Sequence, residues 1–285
     1  MNISDEASQA VSYLHRLEQK SRELEAANAS LRAANERLQE IDRIRDDFLA
    51  TVTHELRAPL TAIRAMSEIL LDDPAIPSDE RKRFLSIIVK ESERLTRLVN
   101  RTLDLARIES GITEWQPAEL DMRELIRESA EAIMAVYREQ QVQFELELPE
   151  NIPPVMADRD RLIQVMVNLL SNAVKFCDRT AGHVIVRLSR EAGHVRVDVR
   201  DNGRGIALAD RQRIFEKFTQ VSNPPAGNAS AGKQQGSGLG LPISRKIIEH
   251  FGGALWVEGG DGSEAGKGAT FSFTLPLNSG MIKHK

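Results

Sequence analysis

Five short segments of the 285-residue chain carry side chains whose types and spacing could do chemistry. In FLATVTHELRAPL, His54 is followed at once by Glu55 and, five residues on, by Pro59. A carboxylate beside an imidazole can keep one ring nitrogen protonated and leave the other as a nucleophile. A proline inside a strong helical pattern costs about 3 kcal/mol and bends the helix, which sets this segment apart from ordinary helix surface. In QVMVNLLSNAVKF, Asn168, Asn172 and Lys175 fall along one helical face. Two amide oxygens and an ammonium pointing the same way suit a hard cation bridged to phosphates. VRVDVRDNGRGI runs a strand into Asp201, then Gly203 and Gly205, a pattern that alone is also an ordinary turn. RIFEKF sets Lys217 between Phe215 and Phe218, a pairing usually found in cores. GSGLGLPISRKIIEHFGG places Gly236, Gly238, Leu239 and Gly240 ahead of a helix whose N-terminus favours anions. It lacks the preceding strand and downstream acid of a dinucleotide site. GDGSEAGKG is no phosphate loop, because Asp261 and Gly268 occupy positions that need Gly and Ser or Thr; it reads as a turn between two strands.

These segments need a scaffold. Residues 14–47 lack Gly and Pro and read as one long helix, with Leu17, Leu24, Leu31 and Leu38 at every seventh position. Three residues before each stand Leu14, Ser21, Asn28 and Asn35, giving a seam with Leu at one core position and polar residues at the other. Asn at such positions favours a parallel two-stranded register, although a single amphipathic helix packed on its own domain gives a similar pattern. The register then breaks, since Asp42 and Arg45 would enter the seam while the apolar residues are Ile41, Ile44 and Phe48. The break is a junction between bundles or a point where twist is passed on.

The helix continues through His54 to ILL and stops at DDPAIPS. Ser78, Asp79 and Glu80 make a good start for the next helix. Phe84, Ile88, Leu95, Leu98, Thr102 and Leu105 line it at three-four spacing, Glu91 fills the remaining position, and Gly111 closes it. Two such helices form an antiparallel hairpin, and two hairpins a four-helix bundle. Beyond residue 112, helix signals (Asp121 with Glu124 as a capping box, and Asp158 to Phe176) alternate with the period-two strands QFELEL, HVIVRLS, HVRVDVR and ATFSFTL. This predicts a two-layer α/β sandwich with a largely antiparallel sheet. SNPPAGNASAGKQQG, from Ser222 to Gly236, reads as a mobile loop, and NSGMIKHK as a frayed tail.

Composition narrows the classes further. A net charge of −4 with interspersed signs gives no basic footprint for nucleic acid. Cys177 is the only cysteine, which precludes an intrachain disulfide or a cysteine metal site and fits a reducing compartment. The N-terminal residues show no signal peptide, and LIQVMVNLL is far too short to span a bilayer, so a soluble chain is expected.

In order, and across residues 48–253, the five segments resemble the boxes of the sensor histidine kinases of two-component systems. The resemblance implies an α+β multidomain chain with four parts. These are a coiled-coil connector (1–44), a HisKA-type dimerisation and phosphotransfer hairpin (45–112), an HATPase_c domain of Bergerat fold (113–278) and a tail (279–285). His54 would be the phosphoacceptor, Glu55 its general base, and Arg57 and Pro59 structural neighbours. Asn172 and Asn168 would ligate Mg²⁺, with Lys175 on the ATP phosphates. Asp201 would accept a hydrogen bond from the adenine amino group, with Gly203 and Gly205 admitting the base. Phe215 and Phe218 would anchor a lid carrying Lys217, and the glycines at 236, 238 and 240 with Leu239 would close the phosphate side. The expected partners are a second copy of the chain and a separate response regulator, and the expected location is the cytoplasm, as the soluble part of a receptor or alone. The chain departs from the family pattern at two positions. Thr53 stands where Ser is common, and Ala58 where many relatives have the Thr or Asn that orients water for dephosphorylating the partner. An Ala side chain makes no hydrogen bond, so the resemblance supports kinase and not phosphatase activity. Two readings compete: an ATP-binding scaffold, against which every polar residue expected for the kinase reaction is present, and a Bergerat ATPase without a phosphoacceptor, which does not need the His-Glu-x-x-x-Pro helix.

Overall fold

The computed structural model describes residues 3–73, 75–178, 180–219, 238–259 and 268–277. The Ser222–Gly236 loop, the turn at 260–267 and the tail from residue 278 lie outside the described residues. The chain divides into two compact units, Met1–Glu55 and Leu56–Lys285.

Helix α1 runs over Ile3–Asp72 with Pro59 inside it. In the first unit the seam residues Leu24 and Leu31 are exposed, as are Asn28 and Asn35. The side chains of Leu14, Leu17, Ser21 and Leu38, and of Ile41, Asp42, Ile44, Arg45 and Phe48 at the register break, lie outside the described residues. Among the described residues no helix is long and apolar enough to cross a membrane.

In the second unit, α2 covers Ser78–Glu109. Ser78 is its first helical residue and not a cap: Pro77 occupies the N-cap position, and no side chain caps the helix. Asp79 and Glu80 in the first turn offset the exposed N–H groups electrostatically. Leu98 and Leu105 are buried, and Phe84, Ile88, Glu91, Leu95 and Thr102 are half-buried, so the three-four seam is the covered face. A second stripe, Leu85, Val89, Val99 and Leu103, is exposed. The helix closes with Gly111 N–H donating to Ile108 O and Ile112 N–H to Arg107 O.

The rest of this unit is an α/β sandwich. Its elements are β1 (Pro117–Leu120), α3 (Met122–Glu139), β2 (Gln143–Glu147), β3 (Val155–Asp158), α4 (Arg159–Phe176), β4 (His183–Glu191), β5 (His194–Asp201), two 3₁₀ turns (Leu208–Asp210 and Arg213–Phe215), α5 (Gly240–His250), β6 (Ala254–Gly259) and β7 (Ala269–Pro276). The main sheet has the order β2-β4-β5-β7-β6; only the β2–β4 pair is parallel. β1 and β3 form a separate antiparallel ribbon.

Alternation in β4, β5 and β7 buries Val184, Val186, Leu188, Val195, Val197, Val199, Phe271, Phe273 and Leu275. These share the core with Leu162, Met166, Leu169 and Leu170 of α4 and Ile243 and Ile247 of α5. The starts of α3 and α4 are fixed by carboxylates. Asp121 accepts from Arg123 N–H at 2.8 Å, and Asp158 accepts from Arg161 N–H at 3.2 Å and Gln116 N–H at 2.9 Å. Asp121 also pairs with the Arg123 guanidinium, which lowers its pKa below the usual carboxylate value.

Candidate functional site

Four of the five segments come together on the sandwich. Asn168 and Asn172 are half-buried on α4. Asn168 Nδ2 donates to Ser244 Oγ on α5 at 3.0 Å. The backbone of Gly240, the first residue of α5, lies so close that a Cβ there would sit 2.1 Å from Asn168 Oδ1. Only glycine leaves that oxygen its place at the helix N-terminus. Leu239, fully buried, fixes the chain just ahead of this point. Ser244 is a participant that sequence reasoning passed over; its spacing of four from Gly240 is the one local hint.

At the other end of α4, Asp201 closes β5 and is 4% exposed. Its Oδ1 accepts from Gly203 N–H at 2.8 Å and Ala269 N–H at 3.3 Å. Burial pushes its pKa up to about 6, against the lowering effect of those two bonds. A Cβ on Gly203 would stand 1.9 Å from the carbonyl oxygen of Phe176, so the turn after Asp201 closes on the end of α4 only with glycine. Gly205 follows at φ +75°. Lys175 Nζ and the Arg204 guanidinium lie 4.9 Å and 5.9 Å from the Phe176 ring centroid. Lys175 keeps part of its surface exposed, yet desolvation and then the positive charge of Arg101 on α2 push its pKa below the ordinary lysine value. Asn202, also missed from sequence, accepts from His183 N–H at 3.0 Å and donates to Ala181 O at 2.6 Å, tying down the turn before β4.

The segment from Arg213 is pinned at both of its aromatic residues. Phe215 is buried, edge-on to Phe271, with the Arg245 guanidinium 5.3 Å from its ring centroid. Phe218 takes φ +59°, costly for an aromatic residue, and its N–H donates to Gly238 O at 3.0 Å. Between them Lys217 pairs with Glu109, the last residue of α2, at 2.7 Å. Gly236 lies outside the described residues.

His54 and Glu55 belong to the first unit, on α1; His54 is exposed and Glu55 half-buried. Thr53 Oγ1 donates back to Leu49 O at 2.8 Å, and Pro59, lacking an N–H, removes one helical bond from this stretch.

The donor set fits a nucleotide with a hard cation. Asp201 Oδ2 takes neither of the two backbone bonds and suits an amino donor, and the Asn168 and Asn172 amides are oxygen ligands. Among the described residues no group of three or more His, Cys, Asp or Glu side chains is arranged to hold a metal.

Residues 44–111 match the His Kinase A (phospho-acceptor) domain, and residues 157–279 match the histidine kinase-, DNA gyrase B- and HSP90-like ATPase. The sensor histidine kinase AruS of Pseudomonas aeruginosa is 36% identical over 90% of this chain, which spans 25% of that relative's length. Among solved structures, full-length ShkA in complex with AMPPNP is 31% identical, with a TM-score of 0.59 over 83% of this chain and 47% of that one. Histidine kinase ThkA in complex with the response regulator protein TrrA is 28% identical, with a TM-score of 0.65 over 84% and 64%. A phosphoacceptor hairpin followed by this ATPase sandwich, matched in that order, places the chain in the family of the sensor histidine kinases, of which it spans the phosphoacceptor and ATPase domains.

Proposed function

We propose that the chain transfers the γ-phosphoryl group of ATP to His54, and from there to an aspartate of a separate response regulator. The observation that carries the nucleotide reading is Asp201, a buried carboxylate with one oxygen anchored by two backbone N–H groups at the end of the asparagine-bearing helix. Its position suits the adenine amino group, with the phosphates towards Asn168, Lys175 and the N-terminus of α5. The AMPPNP in ShkA and the response regulator bound to ThkA support the two substrates.

In the reaction, one imidazole nitrogen of His54 attacks the γ-phosphorus. A nitrogen–phosphorus bond forms as the bond to the leaving ADP oxygen breaks, and Glu55 takes the proton that the ring must lose. Asn172 and Asn168 would hold Mg²⁺, which supplies charge neutralisation at the phosphates. Lys175 and Lys217 add positive charge there, and the remaining catalysis is positioning.

We assign the working parts as connector 1–44, phosphotransfer hairpin 45–112 and ATPase domain 113–278. The exposed stripe of Leu85, Val89, Val99 and Leu103, with Leu24 and Leu31 on the heptad seam, supports a homodimer that covers both. Ala58 favours net kinase activity, since no side-chain hydrogen bond is available at that position. A buried free thiol at Cys177 suits the reducing, ATP-rich cytoplasm.

Incubation with γ-labelled ATP and Mg²⁺, beside His54→Gln, tests the proposal. Acid-labile label on the parent alone supports it. ATP binding without label on either protein overturns it in favour of a scaffold. Steady phosphate release that survives His54→Gln would favour a Bergerat ATPase.

A further inference from the structure

The end of α2 is docked on the ATPase sandwich. Asp104 accepts from Arg161 Nη1 at 3.2 Å and Gln164 Nε2 at 3.1 Å, and Leu105 is buried. Glu109 meets Lys217 with both carboxylate oxygens, at 2.7 Å and 2.9 Å. Leu105 and Glu109 share a groove with Phe215, Pro242 and Arg245. Six residues past Glu109, Trp115 stacks on His250 at 3.9 Å and 13°, with Phe251 edge-on at 5.4 Å. Residues 110–114 are therefore the only stretch between a polar dock on the helix side and an aromatic anchor on the sandwich side.

The two attachments differ in kind. The side chains of Lys217 and Glu109 are 31% and 37% exposed, and Asp104 and Arg161 are part-exposed, so these ion pairs are individually weak and reversible. The Trp115 stack is apolar contact area that a change of charge does not dissolve. Lys217 is also one residue from Phe218, whose backbone bonds Gly238 at the approach to α5.

We propose that Glu109 is a built-in competitor for the nucleotide's phosphates: it holds Lys217 while α2 is docked, and ATP that recruits Lys217 frees the end of α2 to pivot at residues 110–114 about a fixed Trp115. This rests on the ATP site read above. The cost of displacing Glu109 is then part of the apparent ATP affinity.

A double-mutant cycle measured by calorimetric titration with ATP tests it. Glu109→Gln is expected to tighten ATP about two- to fivefold, the range for a part-exposed ion pair. The gain should vanish in a Lys217→Gln background. An equal gain in both backgrounds would reflect only the loss of a nearby negative charge and would overturn the proposal, as would no gain at all. Hydrogen exchange without nucleotide reads the dock directly, with the Leu105–Glu109 amides exchanging several-fold faster in Glu109→Gln. Unchanged exchange would overturn the latch even where ATP binds normally. A parent that binds no ATP would instead sink the nucleotide site and the competition built on it, leaving the exchange result to judge the dock.

Discussion

Asn168 and Ser244 join α4 to α5 through an amide-to-hydroxyl bond of 3.0 Å, and that bond orients the amide. With Nδ2 committed to Ser244, Oδ1 is the asparagine atom available to a cation. Ser244 itself is buried. Ser244→Ala should cost about 1 kcal/mol of stability by denaturant titration. It should also weaken Mg²⁺-ATP several-fold more than metal-free ATP in calorimetric titrations. Equal weakening of both would deny the orienting role.

Gly240→Ala places a methyl group 2.1 Å from Asn168 Oδ1. Either the helix start or the asparagine must move by more than an ångström. ATP affinity is expected to fall more than about tenfold, the loss of one or more charge-assisted contacts, while far-ultraviolet circular dichroism stays that of the parent.

Asp201 makes stability depend on pH with a definite sign. Its folded-state pKa, about 6, lies above the ordinary carboxylate value. The unfolded chain therefore releases this proton first, and stability falls as pH rises from about 4 to about 6, by roughly 2–3 kcal/mol. Asp201→Asn should flatten that part of the curve and leave the ligand-free variant more stable than the parent at pH 8. The same variant should bind ATP at least about tenfold more weakly, because its amide nitrogen cannot accept from an amino group. In the parent, ATP affinity should drop as pH falls below about 6. A flat affinity profile from pH 5 to 8 would contradict this assignment.

Arg196 provides the contrast. On the sheet it bonds Asp198 at 2.8 Å and Ser272 Oγ at 3.2 Å, and its guanidinium lies 5.2 Å from the Trp256 ring centroid. Arg196→Ala removes a cation from part-buried Asp198 and should lower stability by about 1–3 kcal/mol. ATP affinity should remain that of the parent, and a matching loss of binding would mean that the two faces of the sheet are coupled.

Local patterns carried most of the fold. The sandwich strands β2, β4, β5 and β7 and helix α4 each announce themselves by period within one segment, and Asp121 and Asp158 by their place before a helix. β1 and β3 give no such signal, being four residues each and defined by pairing with one another across the chain, with Val155 of β3 also bridging Leu277. Ser78 with Asp79 and Glu80 marks the start of α2, although Pro77 and not Ser78 takes the cap position. The same division holds at the site. Each box is local, whereas Ser244 under Asn168, Glu109 on Lys217 and Trp115 on His250 are contacts over 76, 108 and 135 positions, which no short pattern encodes.

The Trp115–His250 stack also has a mechanical meaning. Helix α5 is 11 residues long, about 16 Å at 1.5 Å per residue, and it is gripped at both ends. Its last residue carries the linker's indole, and its first presses on the amide of Asn168. A hydrogen-bonded helix of three turns transmits axial load with little compression, so α5 behaves as a pushrod. An axial push applied at Trp115 would reach the Asn168 amide with no loop between them to absorb it.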